Sequence, residues 1–418
     1  MKAGVRYQKQ YWPDTTFSTP GIAAPYSFPS DSDNVAPRVG MSWDPAGDKK
    51  TIAHAAYGIY YDNIITALWG IGDIVDGSAS GVRTLVTRFP NTLAAWNAPG
   101  HRLPEAAVGP FPSLVIAIDP GMKTPYAHHV AAGLDRELAG DTLLAVNYVF
   151  ARGFNQPGTI DYNPVLPSLG AGRRPLDVAG RAGTSASVLQ YTSFGETWYN
   201  GLTVSATKRL SRRSQFMASY TLSKAEDNST DFQTSFIAQN NGQGRDPNNP
   251  TGLPIGFDPN SERGPSLQDQ RHRLVISGMY VAPFDVTLSS IVSVASGRPY
   301  NVLAGADLNG DGDGGTIPGP DRARTNPSDP LTSVGRNSET LPTTATVDVR
   351  ANRRIALGAR RSIDVIVEVF NLFNRANFVD VNNIFGTGAY PANPLPTYGQ
   401  FQKAGPPRQM QVALKLTF

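Results

Sequence analysis

Apolar and polar residues alternate along many short stretches of the chain. The clearest stretch is 408–418, in which five apolar residues occupy alternate positions: Met410, Val412, Leu414, Leu416 and Phe418. Successive side chains of a β-strand point to opposite faces, so this pattern predicts a strand with one apolar and one polar face. Turn residues bound twelve such stretches. We predict strands near 2–10, 35–44, 51–62, 126–138, 142–152, 197–209, 214–223, 271–283, 286–300, 344–357, 361–373 and 408–418.

The connections between these strands alternate in length. Short turns are predicted at 45–50, 139–141, 210–213, 283–285 and 358–360. Long connections rich in Gly, Pro, Asn and Asp separate the resulting hairpins, at 11–34, 63–125, 153–196, 224–270, 301–343 and 374–407. Inside the second of these, 82–89 and 113–119 are expected to add a hairpin. Several loops of this length are uncommon in a compact soluble domain.

Short turns at one end and long loops at the other are typical of an outer-membrane barrel. The sequence therefore predicts an all-β fold, an antiparallel up-and-down transmembrane β-barrel with a polar lumen face and an apolar lipid face. The alternative is a secreted or surface-attached soluble β protein that binds glycan or calcium. Its solvent face should be rich in Lys and Glu, which protect exposed strand edges. The polar faces here carry mainly Ser, Thr, Gln, Asn and Gly instead.

Composition narrows the functional classes. Charged residues make up 17% of the chain and the formal net charge is +3, so there is no case for a nucleic-acid partner. The chain has no Cys, which excludes disulfides, thiolate metal sites and thiol nucleophiles. No stretch reaches the 18 or so apolar residues of a membrane-spanning helix, although this leaves a membrane barrel open.

Eight segments, in order along almost the whole chain, resemble the barrel of TonB-dependent outer-membrane transporters, specifically the Oar-like branch. They are 37–45 (PRVGMSWDP), 57–62 (YGIYYD), 199–202 with 218–224 (YNGL, ASYTLSK), 269–273 (DQRHR), 296–300 (SGRPY), 367–375 (VEVFNLFNR) and 414–418 (LKLTF). The resemblance implies a receptor of the bacterial outer membrane, surrounded by outer-membrane lipid, that binds and takes up a substrate.

The resemblance also implies a 22-strand barrel with an N-terminal plug, through which an inner-membrane energy-coupling protein acts. Only about twelve strands are predicted in 1–418, and no plug or signal peptide is recognised. We therefore expect this chain to be the C-terminal part of such a barrel, a fragment or the product of a miscalled gene start. The N-terminal barrel half would then be its missing partner.

No residue pattern indicates an enzyme. His128 and His129 are adjacent on a predicted strand and so point to opposite faces. Asp364 and Glu368 share a face but lie about 13 Å apart at roughly 3.3 Å per residue, too far for a paired acid–base dyad. No nucleophile elbow, HExxH or P-loop sequence occurs. We expect neither catalytic residues nor a required cofactor.

One cluster in the connection 301–343 has the spacing of a Ca²⁺ loop. Oxygen ligands stand at alternate positions with Gly312 at the sixth, at Asp307, Asn309, Asp311 and Asp313. This matches the first half of an EF-hand-type loop, in which the glycine permits a sharp turn. The twelfth position should be a bidentate Glu but is Pro318, so a solvated Asp/Gly loop is the simpler explanation.

Two further groups of residues are candidates for a function. Arg350, Arg353 and Arg354 form either an anion-attracting patch at the lumen or ordinary solvated charge near a strand end. The last strand carries its apolar residues to Phe418, an aromatic at the level of the periplasmic girdle. The family resemblance implies that Met410, Val412, Leu414, Leu416 and Phe418 form the assembly signal read by the barrel-assembly machinery.

Overall fold

A computed structural model gives the fold of the chain. The structure describes residues 1–14, 16–17, 26–74, 97, 114–138, 141–161, 163, 175, 187–211, 213–228, 262–306, 308, 321–329, 332–358 and 361–418. Twelve long strands form its wall: β1 Lys2–Tyr7, β2 Val35–Trp43, β3 Thr51–Tyr61, β4 Tyr126–Leu138, β5 Thr142–Asp161, β6 Ser187–Ser211, β7 Ser214–Asp227, β8 His272–Val281, β9 Val286–Ala295, β10 Thr344–Ala356, β11 Ser362–Phe370 and β12 Gln409–Thr417.

Each strand of the wall pairs antiparallel with the next one along the chain, from β1 to β12. Such a meander places alternate connections at opposite ends, so the strand ends that flank the five predicted short turns lie on one rim, and those that flank the long connections lie on the other. The all-β prediction and the twelve-strand count are confirmed. Among the described residues β1 pairs only with β2 and β12 only with β11, which leaves two open edges.

The wall separates its side chains as the alternation predicted. In β12 the even positions, from Met410 to Leu416, are strongly exposed, and the register places them beside Ile363, Val365, Val367 and Val369 of β11. The opposite, inner face of β10 and β11 carries Arg350, Asp364 and Glu368. A face of exposed aliphatic side chains meets lipid in an outer-membrane barrel, whereas the polar face lines a wet interior.

Two strands are much longer than the sequence predicted. β5 continues to Asp161 and β6 begins at Ser187, so both rise beyond the membrane level into segments interpreted as loop. With 25 residues, β6 is about 80 Å long at roughly 3.3 Å per residue. Gly153, Gly158 and Gly195 lie in these extensions, near the β5–β6 register shifts. Such glycine-containing sequence suggests a loop unless the long-range pairing is known.

Shorter elements occupy the rim of long loops. The strand Leu114–Ile118 joins the sheet parallel to the start of β6. The segment 82–89 lies outside the described residues, so the expected hairpin between 82–89 and 113–119 stays a prediction. The helix α1, Thr66–Ile74, lies in the same connection, and a 3₁₀ turn spans Pro283–Asp285. Short pairs join Thr16–Phe17 to Tyr26–Ser27, Pro299–Tyr300 to Glu339–Thr340, and Phe378–Val381 to Phe401–Ala404, while Gly264–Pro265 pairs with β7. No described helix is long and apolar enough to cross a bilayer.

Candidate functional site

The buried apolar residues of the chain lie mainly in the long connections, not in the wall. The described parts of 11–34, 63–125 and 153–196 pack together into what we call the apolar cap. Its core consists of Phe28, Ile64, Leu68, Ile116, Ile118, Met122 and Tyr191, with Trp12 and Trp69 against it. Leu68 is fully buried because α1 turns it toward this core. Three connections far apart in sequence thereby form one folded unit.

Polar contacts fix the edges of the apolar cap. The side chain of Gln10 bonds both backbone groups of Ile64, at 2.9 Å each. Asn34 donates to the Thr124 hydroxyl at 3.2 Å, and the Thr124 N–H donates to Asp31 at 3.0 Å. The Trp12 and Phe28 rings lie 4.3 Å apart. Phe28 of the first long connection and Leu68 of the second belong to the same core, so the two connections are joined by apolar as well as polar contacts.

The remaining long connections form a second unit, the ionic cap, which comprises the described parts of 262–269, 298–343 and 374–407. Arg322 and Glu262 make a bidentate ion pair at 2.7 and 3.0 Å, with side chains only 2% and 7% exposed. Arg336 donates to the Glu262 carbonyl at 2.7 Å and also pairs with the buried Asp227 at the end of β7. Buried charges of this kind are tolerated only when paired and hydrogen-bonded.

Amide side chains extend this network. The Asn337 N–H donates to the Asn301 side chain at 2.7 Å, and Asn337 donates in turn to the Pro265 carbonyl at 2.7 Å. Asn383 donates to the Asn301 carbonyl at 2.9 Å. These bonds link the fourth, fifth and sixth long connections, each of which supplies part of one buried polar layer.

Aromatic residues cover this layer. Phe385 packs with Val302, Ala323 and Val334, and its ring lies 5.2 Å from both Tyr390 and Tyr398. The Tyr390 hydroxyl donates to Glu339, and this bond together with burial raises the pKa of Tyr390 to about 12. Burial, followed by the neighbouring Tyr300 and Glu339, also raises the pKa of Tyr398 above its usual value. Both hydroxyls thus stay protonated at neutral pH.

A cleft of about 260 Å³ opens in the ionic cap. Its lining combines the exposed charges of Arg298 and Asp380 with Tyr300, Asn301 and Asn383. Opposite charges beside an aromatic ring and amide groups suit a small polar ligand. From the sequence, Arg298 and Tyr300 were recognised only as part of 296–300, a segment that resembles the transporter family. It missed Asp380, which comes from a distant connection.

The segments that carried the family resemblance hold the rim in place. A Cβ on Gly297 would lie 1.6 Å from the Leu341 carbonyl oxygen, so only glycine permits this approach. Asp269 accepts from the Ala225 N–H at 2.8 Å. Asn371, at φ 47°, donates to the carbonyls of Arg375 and Pro406 at 3.0 and 3.1 Å. These residues are anchors between the wall and the ionic cap.

The structure separates the three arginines considered together from sequence. Arg350 faces inward and pairs with Glu368 at 3.2 Å, and Arg354 donates from Nε to the Ser362 hydroxyl at 3.2 Å. Arg353 lies on the opposite, outward face beside Val286 and Val365. The group is therefore not one patch.

Only some of the other predicted site residues lie in the described part of the chain. Asp307, Asn309, Asp311 and Asp313 lie outside the described residues, so Ca²⁺ binding there stays a prediction. In the part of the chain that is described, no three His, Asp or Glu side chains group closely enough to hold a metal ion. The apolar residues of β12 share its outward face, and Phe418 follows one residue after the strand. Their role as an assembly signal also stays a prediction.

The two adjacent histidines point to opposite faces, as expected. His128 contacts the Tyr57 hydroxyl at 2.8 Å, whereas the ring of His129 lies 4.9 Å from that of Tyr60. Tyr57 and Tyr60 are of opposite parity on β3, so the two pairs lie on different sides of the sheet. A shared metal is thereby excluded for this pair.

Comparison with known proteins agrees with this architecture. Residues 6–411 match the family described as outer membrane beta barrel domain. The chain belongs to this family. The outer-membrane barrel and the location in the bacterial outer membrane, both expected from the sequence, are confirmed. A comparison with the curated proteins finds no match.

Among solved structures, the barrel is similar to the outer membrane transporter YddB from Escherichia coli, at 12% identity and a TM-score of 0.53; the similarity covers 93% of this chain and 41% of that one. A mutant of the ferric enterobactin receptor PfeA from Pseudomonas aeruginosa gives 13% identity, 92% and 40% coverage and a TM-score of 0.48. The FrpB iron transporter from Neisseria meningitidis is 14% identical, with a TM-score of 0.45; the similarity covers 93% of this chain and 39% of that one.

The chain thus spans about two fifths of the length of these structures. At such identities the similarity establishes the fold alone. The narrower Oar-like assignment stays a prediction. The soluble alternative receives no support from the family match or from the fold.

Proposed function

We propose that the chain forms part of the wall of a TonB-dependent outer-membrane receptor that binds and takes up a substrate. The observation that carries this proposal is that the described parts of all six long connections pack into two caps on one rim. A wall that served only as a passive support would not need buried ion pairs and a packed core in its loops. Ordered loops on a rigid sheet are where binding surfaces are usually built.

The open edges of β1 and β12 support the expectation that further strands complete the wall. A strand edge exposes unpaired backbone groups, and these cannot remain unpaired in lipid. The missing barrel half would pair there. A plug inside the completed barrel would contact the energy-coupling protein, and the assembly machinery would read β12.

The cleft beside Arg298 and Asp380 is our candidate for a contact with substrate. Its charges and amide groups suit a small polar or zwitterionic solute, and no cofactor is needed for binding or passage. We propose no enzymatic step.

The orientation of the wall can be tested directly because the chain has no Cys. Ala392 is exposed in the ionic cap, and Ala46 is exposed in the first short turn. A matched pair of variants, Ala392→Cys and Ala46→Cys, is treated on intact cells with a membrane-impermeant maleimide. We expect labelling of Ala392→Cys only, with Ala46→Cys labelled once the cells are lysed. Labelling of Ala46→Cys alone on intact cells would contradict a receptor with its caps outside.

Binding is tested on the purified protein with a mixture of small solutes from the growth medium, analysed by mass spectrometry. We expect wild-type protein to retain a solute that is lost on both Arg298→Ala and Asp380→Ala. Thr397→Ala, an exposed change elsewhere in the ionic cap, serves as the control. Equal retention by all four proteins would remove the cleft from the proposal.

A further inference from the structure

The outward face of the wall contains a groove of about 620 Å³ across β7 to β11. Gly278 and Ser290 lie opposite each other in the register and give the groove its floor, since neither has a large side chain. Larger residues form its sides: Phe216, Ile276, Tyr280, Leu288, Val292 and Val349. Almost all of these belong to the lipid-facing set, so the groove opens into the bilayer.

One end of the groove lies near the rim of short turns. Tyr280 and Leu288 pair with each other, and each lies three residues from the 3₁₀ turn Pro283–Asp285. Ser290 lies about 13 Å beyond Val286 at roughly 3.3 Å per residue. Phe284 in the turn is 83% exposed, as expected of an aromatic residue at a membrane interface. The groove therefore runs from the interface toward the middle of the membrane.

An exposed cation, Arg353, stands at that end on the same face. Arg353 pairs in register with Val286, two positions along β10 from Ala351, which lines the groove. Arg350 and Arg354 turn inward and have partners, but Arg353 is exposed and makes no ion pair or side-chain hydrogen bond with any described residue. An unpaired guanidinium at a lipid-facing interface is placed for a phosphate, which it can hold with two parallel hydrogen bonds.

We propose that this groove binds one anionic glycerophospholipid of the periplasmic leaflet, with an acyl chain along Gly278 and Ser290 and the phosphate at Arg353. A phospholipid fits both parts of the site, since its apolar chain and anionic head have the same order along the membrane normal as the groove and the arginine. A protein partner is less suited to a groove that is apolar, narrow and topped by one exposed cation.

The test uses purified full-length chain in mild detergent and native mass spectrometry with added phosphatidylglycerol. Ala351→Leu fills the groove, and Ala206→Leu adds the same side chain to the outward face outside it. We expect wild-type protein and Ala206→Leu to retain one phosphatidylglycerol at collision energies that strip other adducts. In Ala351→Leu, the fraction of protein that retains phosphatidylglycerol should be at least tenfold lower.

The head group is tested separately by Arg353→Gln and its sequence neighbour Arg354→Gln. Arg353 is exposed, so its replacement leaves the fold intact. We expect a several-fold loss of retained phosphatidylglycerol on Arg353→Gln and none on Arg354→Gln, with weaker retention of zwitterionic phosphatidylethanolamine throughout. Equal retention by Ala351→Leu and Ala206→Leu, or equal losses from the two arginine variants, would overturn the proposal. A peptide adduct in place of lipid would also overturn it.

Discussion

The two caps do the same structural task with different chemistry. The apolar cap joins three long connections through aliphatic and aromatic side chains around Leu68 and Tyr191, and its polar contacts lie at the edges. The ionic cap joins three others through a buried polar network, in which Glu262 contacts both Arg322 and Arg336 and Asn383 attaches the last connection. Its apolar cluster around Phe385 covers this layer and does not replace it.

This difference predicts that single substitutions lower the stability of the two caps in different ways. Apolar packing loses stability in proportion to the area and volume removed, because each contact contributes little by itself. A buried ionic network depends on completeness, since removing one member leaves another charge buried without its partner. The ionic cap should therefore fail at a single residue, whereas the apolar cap should weaken gradually.

The largest effect is expected from Glu262→Gln. This change keeps the shape of the side chain but removes the charge that faces Arg322, whose side chain is 2% exposed. Breaking one side of a buried pair costs about 3–5 kcal/mol, so the ionic cap should open locally. Hydrogen exchange should show lost protection at 262–269 and 321–341 and unchanged protection in the apolar cap.

Two controls separate charge burial from a general loss of folding. Glu226→Gln removes a carboxylate paired with Lys224 and Arg263, both roughly half exposed, and should cost far less. The double change Glu262→Leu with Arg322→Met removes both charges and should recover most of the protection. If the double variant is as unstable as Glu262→Gln, the network is not the cause.

A smaller and more local effect is expected from Leu68→Ala in the apolar cap. Leu68 is 0% exposed, and truncating a buried leucine costs about 2–5 kcal/mol depending on how far the site collapses. Protection should fall at α1 and at Leu114–Ile118 but stay unchanged in the ionic cap. Ile65→Ala, at a position 43% exposed beside the same helix, should change little. A loss of protection in both caps would show that they unfold together.

The contrast also explains what the sequence could predict. The strands and short turns follow local alternation, and the register of β7 to β12 keeps the expected faces together. Neither cap follows a local pattern. Glu262 and Arg322 are 60 positions apart, Asp227 and Arg336 are 109 apart, and each residue by itself resembles ordinary loop charge. The extensions of β5 and β6 were missed for the same reason, because only their mutual pairing makes them strands.

A moderate effect is expected at high pH in the ionic cap. The pKa of Tyr390 is raised to about 12 by its hydrogen bond to Glu339 and by burial, against about 10 in an unfolded chain. A raised pKa contributes stability that is fully present below pH 10 and is lost as the pH rises toward 12. Near-UV circular dichroism should therefore show the cap loosening between pH 10 and 12. Tyr390→Phe should lack this pH-dependent contribution; an unchanged transition would exclude Tyr390 as its source.

The smallest effect is expected from Arg350→Gln on the inner face of the wall. Arg350 and Glu368 also form an Arg–Glu ion pair, through one contact at 3.2 Å, but their side chains are 45% and 19% exposed. Water screens such a pair, so its removal should cost about 0.2–1 kcal/mol. The measurement is the unfolding midpoint in urea with heat-modifiable gel mobility as the readout, compared with Glu262→Gln under the same conditions. The comparison sets a buried Arg–Glu pair against a partly exposed one. A loss on Arg350→Gln as large as that on Glu262→Gln would show that burial does not set the cost of breaking these ion pairs.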